Sequence, residues 1–306
     1  MSATVSISTG RSYGVARVCR VWELARSSYY AWDQRMCCAQ PAPPAQKRGP
    51  KTAHSDAELL EAIRRLLDRL EQAGLRGEGY RKIHARLRFE GYRVGRNRVL
   101  RLMREHGLLA PVRSRRPQGP KVHDGTIRTE RPDEMWGTDA TRTWTREDGN
   151  VWVFVSIDHC AGDCVGIHAA KKGTRFAALE PVRQGIEAHF GEPDQAVAAG
   201  LQLRHDCGSQ YLSEVFQDEV DFWGIESSPT FVYSPESNGI AERFIRTLKE
   251  QLLWVRTFDT VDELELALQD FRRRFNRSWM YERHGYKTPD QVRRCFDEHD
   301  GLQEAA

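Results

Sequence analysis

The sequence predicts a mixed α/β sheet with helices on both faces, preceded by small all-α units, and three observations carry the prediction. Between about residues 130 and 300, the stretches "EMWGTDATRTWT", "NVWVFVSIDHC" and "CVGIHAA" are short, rich in β-branched and aromatic residues, and parted by turn residues such as "EDGN". Downstream of them, helix-like and strand-like stretches alternate, which requires helical layers on a sheet. Upstream of about residue 110, apolar residues recur at helical spacing, and the segment "QPAPPAQKRGP" breaks every regular pattern.

Residues 11–40 are expected to form a short helix-turn-helix segment. Val15, Val18, Val21 and Leu24 space as one short helix, and "ARSSYYAW" as a second, capped by Ser27 or Ser28. Residues 41–53 are a Pro-rich linker. Residues 54–110 are expected to fold as a helix-turn-helix DNA-binding domain. Ser55 is its first N-cap and Glu58 stands three residues on, a capping box ahead of Leu59, Ile63, Leu66, Leu67 and Leu70. "GYRKIHARLRFEG" and "GRNRVLRLMREHGL" each carry a thin apolar stripe, Ile83 and Leu87 in one, Val99, Leu102 and Met103 in the other. Arginines occupy the remaining faces. Arg81, Lys82, Arg96, Asn97, Arg98 and Arg101 are the candidate DNA contacts; the last helix suits a major groove, and phosphate contact demands less than base readout. Residues 111–129, with "PVRSRRPQGPK", are a basic linker able to follow a DNA backbone.

Residues 130–300 hold the sheet and a C-terminal helical tail. The first three strands are sequential and antiparallel. A helix from about Thr174 to Phe190 follows, then the strand "LQLRHD", a helix through "SEVFQDEVDFWG", and a fifth strand, "IESSPT". The stretch "YSPESNGIAERFIRTLKE" opens a helix at Ser237 or Asn238 that lines Ile240, Phe244, Leu248 and Leu252 along one stripe. Glu242 falls on roughly the opposite side, with Arg246 and Lys249 at i+4 and i+7. The plain explanation of that face is an exposed Glu–Arg pair, worth about 0.3 kcal/mol.

At 306 residues, with 40% hydrophobic and 29% charged, the chain has room for one large domain and one or two small ones. No run of about 18 apolar residues exists, and the N-terminus lacks the apolar core of a secretion signal, so neither a membrane span nor export is expected. Seven scattered cysteines with no C-x-x-C pair are expected to be reduced thiols, with Cys160 and Cys164 a poor basis for a metal site. Between Arg76 and Lys121, fourteen Lys or Arg stand against three acids, a local +11 that leaves −8 elsewhere in a chain of net charge +3. Such asymmetry suits a protein that holds a polyanion in one part and metal cations in another. His159, His168 and His189 are expected to be surface or packing histidines, and Trp136, Trp152, Trp223 and Trp254 core or rim aromatics.

The acidic part contains the candidate chemistry. Asp139 lies in the first strand, Asp206 at the end of the fourth, and Glu242 at the head of the later helix, with thirty-five residues between the last two. First and fourth strands of a mixed sheet can be neighbours, which would set the aspartates side by side, and a helix packed across them would add the glutamate. Three crowded carboxylates repel, and their pKa values rise unless cations sit between them. Mg²⁺ accepts oxygen ligands and keeps sites open for water and phosphate; two ions about 3.5–4 Å apart would stabilise both oxygens of a phosphoryl displacement. Asp158, in "VSIDHC", is a candidate fourth carboxylate, with a strand-end cap or turn hydrogen bond as the favoured alternative.

"WGTDAT", "HDCGSQY" and "SPESNGIAERFIRTLKE", at this spacing, resemble the DDE integrase core of insertion-sequence transposases and retroviral integrases. "GEGYRKIHARLRFEGYRVGRNRVLRLMREHGL" and "FNRSWMYERHGYKTPDQV" resemble the helix-turn-helix segment and the C-terminal tail of second-reading-frame (OrfB) transposases, so the likeness runs from about Tyr13 to Val292. The resemblance implies an RNase H-like mixed five-stranded sheet with Asp139, Asp206 and Glu242 as catalytic ligands of two Mg²⁺ ions, Mn²⁺ being a substitute. It implies that Lys249 contacts the DNA end near the scissile phosphate, with Arg246 beside it. Gly208, Gln210 and Tyr211 would shape the turn after the second aspartate and touch DNA, a purely structural role being the alternative for each, and His205 and Cys207 depart from the family's usual residues there. The implied function is a DNA transposase that cleaves element ends and transfers the exposed strand. A DNA-binding regulator with a vestigial core, and an RNase H-like nuclease, are the alternatives. The implied partners are the terminal inverted repeats, target DNA, further copies of the chain on that DNA and the product of the upstream frame, all in the bacterial cytoplasm at the nucleoid.

Overall fold

The computed structural model describes residues 4–37, 53–111, 129–230 and 238–304. They fall in two compact units, residues 1–51 and 52–306. The linkers expected at 41–53 and 111–129 lie almost wholly outside the described residues. In the first unit, α1 (Gly14–Val21) and α2 (Arg26–Cys37) form a helix pair. The second helix starts before its expected caps: Ser27 and Ser28 lie inside it, and the Ser28 amide donates to the Ala25 carbonyl. Backbone, and not a serine hydroxyl, opens this helix. Among the described residues of the pair, Cys19 is the one buried hydrophobic, and Trp22 and Trp32 are exposed.

The second unit begins with α3 (Asp56–Gln72), α4 (Tyr80–Phe89) and α5 (Arg96–Glu105). The capping box forms as its residue types require. Ser55 Oγ accepts from the Glu58 amide at 3.2 Å, and the Glu58 carboxylate accepts from the Ser55 amide at 2.7 Å; such caps contribute about 1 kcal/mol. Leu59, Ile63 and Leu66 of α3 meet Ile83 of α4 and Val99 and Leu102 of α5 in one buried cluster. The thin stripes of α4 and α5 leave their arginines outside it.

Period-two alternation then builds the sheet. β1 (Met135–Thr145), β2 (Gly149–Asp158) and β3 (Cys164–Ala170) pair antiparallel in sequence. β4 (Gln202–His205) pairs parallel with β1, and β5 (Glu226–Pro229) parallel with β4, giving the order β3-β2-β1-β4-β5. Val151, Val153, Val155 and Ile157 of β2 belong to one buried face and Phe154 to the other. A central strand buried on both sides needs a helical layer on each. α6 (Arg175–His189) and α7 (Glu214–Phe222) cover the face that carries Trp136 and Phe154. α8 (Gly239–Leu248) and α9 (Val261–Ser278) cover the valine face, with Phe244, Leu248, Phe271 and Phe275 inside it. α10 (Pro289–Glu304) follows, and its Arg293 donates to Asp133 and Asp163 at 2.8 Å. The result is the RNase H-like mixed five-stranded sheet that was expected.

The three-helix unit is docked on the helices of the sheet. Lys82 Nζ lies 3.2 Å from the centre of the Trp279 ring. Arg86 holds Glu78 through two hydrogen bonds and donates to the Ser278 carbonyl at 2.8 Å. Arg274 of α9 donates to the Ala73 carbonyl at 2.9 Å, and Arg81 pairs with Glu282.

Candidate active site

β1 and β4 decide where the aspartates stand. Their parallel register pairs Met135 with Gln202, Trp136 with Leu203 and Gly137 with Arg204. Carried two residues further, the same offset sets Asp139 level with Asp206. Trp136 belongs to the face under α6 and α7, so alternation turns Asp139 to the face that α8 covers. Asp139 is half-buried and accepts from the Ala140 amide at 2.7 Å. Asp206 is exposed and accepts from the Gly208 amide at 2.9 Å. A Cβ on Gly208 would lie 2.9 Å from Asp206 Oδ1 and 2.6 Å from Gln210 Nε2, so a side chain there would displace both side-chain ends.

Asn238 seats α8. Its Nδ2 donates to the Thr138 carbonyl at 2.8 Å, fixing the head of the helix to β1 one residue from Asp139. A glycine is needed beneath it, because a Cβ on Gly137 would meet Asn238 Oδ1 at 2.6 Å and His159 Nε2 at 2.9 Å. Beyond this cap Ala241, Phe244, Ile245 and Leu248 are buried, while Glu242 and Arg246 face outward. The helix then widens into a π turn, Lys249–Leu253.

Burial raises the Asp139 carboxyl to about 6; the charges of Asp206 and Glu242 push the same way, and the Ala140 amide and Lys249 oppose them. Glu242 is exposed along the helix, yet the protein around its carboxyl removes enough water to raise it as well. The three acids and Lys249 therefore share one electrostatic neighbourhood. They do not close into a ligand set: among the described residues, no three His, Cys, Asp or Glu side chains form a group able to hold a metal ion. Like charge resists their closer approach.

Two of the candidate DNA contacts lie inside the fold. The Tyr211 ring is wholly buried, stacked on His205 with centroids 5.5 Å apart and edge-on to Phe216, so it supports the turn from inside and offers DNA no surface. Lys82 turns its ammonium onto Trp279 within the docked interface. Arg81 faces Glu282, and Arg98 and Arg101 both pair with Asp56 at the start of α3. Arg96 and Asn97 are exposed at the head of α5, and Gln210 is half-buried beside Gly208. The plain Glu242–Arg246 pair gives way to another, since Arg246 reaches forward to Glu250 at 3.0 Å. Asp158 is buried and accepts from the Asp133 and Ala161 amides at 2.9 and 2.6 Å, which is the turn role favoured for it.

Asn238 was legible only as a helix start, and His159 only as a packing histidine. Gly137 is the signal that points to both, because a glycine inside a strand marks close approach by another group, and "WGTDAT" carries one two residues before Asp139.

The HTH-like domain model matches residues 54–116, and the integrase core domain model matches residues 223–289, the stretch with Glu242 and Lys249. The transposase for insertion sequence element IS629 of Shigella sonnei is 27% identical over 296 residues, covering 93% of each chain. The transposase InsD for insertion element IS2 of Escherichia coli is 24% identical over 293 residues, 93% of this chain and 92% of its own. Among solved structures, the simian T-cell lymphotropic virus intasome in complex with PP2A regulatory subunit B56 gamma covers 78% of this chain and 74% of its own, at 19% identity and a TM-score of 0.44. The chain carries a DDE-type integrase core preceded by a helix-turn-helix-like domain, and it matches insertion-sequence transposases over nearly its whole length.

Proposed function

We propose that this chain is a DNA transposase of an insertion sequence, which binds the ends of its element and catalyses metal-dependent DNA cleavage and strand transfer. The observation that carries the reading is Asp139: it stands level with Asp206 on neighbouring strands and feels the charges of Asp206, Glu242 and Lys249 together. Residues 54–110 hold the element end, and residues 130–300 perform the chemistry. Asp139, Asp206 and Glu242 present oxygen donors alone, which suits a hard divalent cation, and positive charge among them would oppose the rise that burial and the neighbouring acids impose on Asp139. When bound, two Mg²⁺ ions, or Mn²⁺ in their place, would neutralise a phosphodiester and make a water or a 3′-hydroxyl a better nucleophile.

The chain's own residues position the reactants. Asn238 holds the head of α8 on β1 beside Asp139, and Glu242 and Lys249 follow it on α8 and the π turn. Lys249 offers an ammonium to the phosphate of the strand being cut. Water attacks phosphorus at the element end, and the bond to the leaving 3′-oxygen breaks, exposing a 3′-hydroxyl. That hydroxyl then attacks a target phosphodiester and releases a target 3′-hydroxyl; the first step spends one phosphodiester by hydrolysis, and the transfer step forms one for the one it breaks, so it needs no outside energy. Two ends processed together require further copies of the chain on the DNA, and the upstream-frame product is a further partner. No described helix is long and apolar enough to cross a membrane.

Asp139→Asn is expected to abolish joining of a labelled terminal-repeat duplex to target DNA while leaving retention of that duplex intact. Full joining by the Asn variant would contradict the metal-ligand role. The open acid set favours one rival, a binding-only regulator. That rival expects a wild type that retains the duplex and neither cuts nor joins it in Mg²⁺ or Mn²⁺. A nuclease would cut and not join.

A further inference from the structure

Gln251 lies in the π turn, two residues past Lys249. Its side chain clamps the backbone of Arg76, in the loop joining α3 to α4. The Arg76 amide donates to Gln251 Oε1 at 2.7 Å, and Gln251 Nε2 donates to the Arg76 carbonyl at 2.9 Å. One side chain that serves both backbone groups of a residue fixes that residue in place and direction, as a strand partner would.

Both ends of the clamp are anchored. Leu252 and Leu253, next to Gln251, are buried with Leu248 in the core of the valine face. On the other side, Arg274 holds the Ala73 carbonyl, three residues before Arg76. Gly74, at a φ of +71°, makes space for that arginine, since a Cβ there would lie 1.8 Å from the guanidinium.

The position of the clamp along the helix gives it a role. Glu242 and Lys249 are seven residues apart, about 20° around an α-helix, whereas Gln251 is turned by about 200° from Lys249, somewhat less where the turn widens. One side of the segment addresses Asp139, and the other addresses the three-helix unit. The Trp254 amide reaches back five residues to the Lys249 carbonyl at 2.9 Å, the π step itself. Turns of this kind recur at functional positions.

We propose that Gln251 is a positioning residue that ties the DNA-binding helices to the segment carrying Glu242 and Lys249. Capture of an element end by the three-helix unit then sets where those two groups stand relative to Asp139. The inference rests on the transposase reading and supplies the physical connection by which the end-binding part acts on the cutting part. Gln251 itself touches no reacting atom.

The test uses the full-length chain on two labelled duplexes of equal length, one carrying the DNA that flanks the coding sequence and one scrambled. In Mg²⁺ the wild type is expected to join the flanking duplex about tenfold faster than the scrambled one, an ordinary coupling. Gln251→Met keeps the length and the apolar stem but makes neither bond. It is expected to bring the ratio to within about twofold of one, with scrambled-duplex joining and flanking-duplex affinity unchanged and the thermal midpoint lowered by at most about 5 °C, the cost of two hydrogen bonds. Gln251→Glu, which still accepts from the Arg76 amide, is expected to fall between. A Met variant that keeps the wild-type ratio overturns the proposal. So does one that loses both rates and thermal midpoint together, because that is the mark of a structural role alone. A wild type that joins neither duplex in Mg²⁺ or Mn²⁺ removes the transposase reading, and the proposal with it.

Discussion

His159 is buried just past the end of β2, against Gly137. Burial, helped by the charges of Arg204 and Arg283, lowers its pKa from 6.5 to about 4. A neutral buried imidazole stabilises the fold fully above 6.5. As pH falls below that value the unfolded chain takes up a proton that the folded chain refuses, and stability is lost until about pH 4. The loss from this group is at most about 3 kcal/mol. Urea unfolding near neutrality and again near pH 4.5 should show a smaller acid loss in His159→Gln than in the wild type. Equal losses would mean that the imidazole is not held neutral. At this scale the placement of Asp139 and Asp206 on neighbouring strands was legible, because each stands at a fixed point of a strand pattern. Tyr211 was not: a tyrosine after "HDCGSQ" has the same letters whether its ring faces DNA or, as here, stacks on His205 inside the fold.

α8 is the element on which the site depends, and its seat on β1 is a glycine. Gly137→Ala would press a methyl into Asn238 Oδ1 at 2.6 Å and His159 Nε2 at 2.9 Å. Displacing them should cost about 1–3 kcal/mol. Because Asn238 anchors the helix that presents Glu242, joining is expected to fall by about tenfold or more with end binding unchanged, as misplacement of reacting groups commonly does. Wild-type joining by the alanine variant would show that the seat does not control the site. The strands were legible because alternation and turn residues coincide, and α3 because Ser55 and Glu58 have few other reasons to stand three apart before a leucine stripe. Ser27 and Ser28 misled for the converse reason, being good caps that an earlier backbone carbonyl made unnecessary. The π turn had a signal too. Ile240, Phe244, Leu248 and Leu252 recur every four residues, which drifts about 40° per step around an α-helix. The wider turn at Lys249 returns Leu252 to the core.

Across the whole molecule, the basic block divides in a way that a sequence cannot show. Its Lys82 and Arg86, with Arg274 of α9 across from them, fasten the three-helix unit to the sheet, whereas Arg96 stays exposed. A cation that docks a helix and a cation that meets phosphate look alike until the partner is seen. The docked arrangement has a consequence for dissection. A chain beginning at Asp124 leaves Trp279, Ser278 and Gln251 without their partners from the three-helix unit, and the few interactions lost amount to about 3 kcal/mol. Its thermal midpoint is expected to lie roughly 5–10 °C below that of the full chain. Coincident midpoints would argue that the two parts are held together only by the linker.

The most direct test of the acid set is to locate the cation. Crystals of the full-length chain on its flanking DNA, grown with Mn²⁺ and measured at the manganese edge, should show anomalous density bounded by carboxylate oxygens of Asp139, Asp206 and Glu242 at about 2.1 Å. Density held by the two aspartates with Glu242 turned away, or no density between them, would contradict the account.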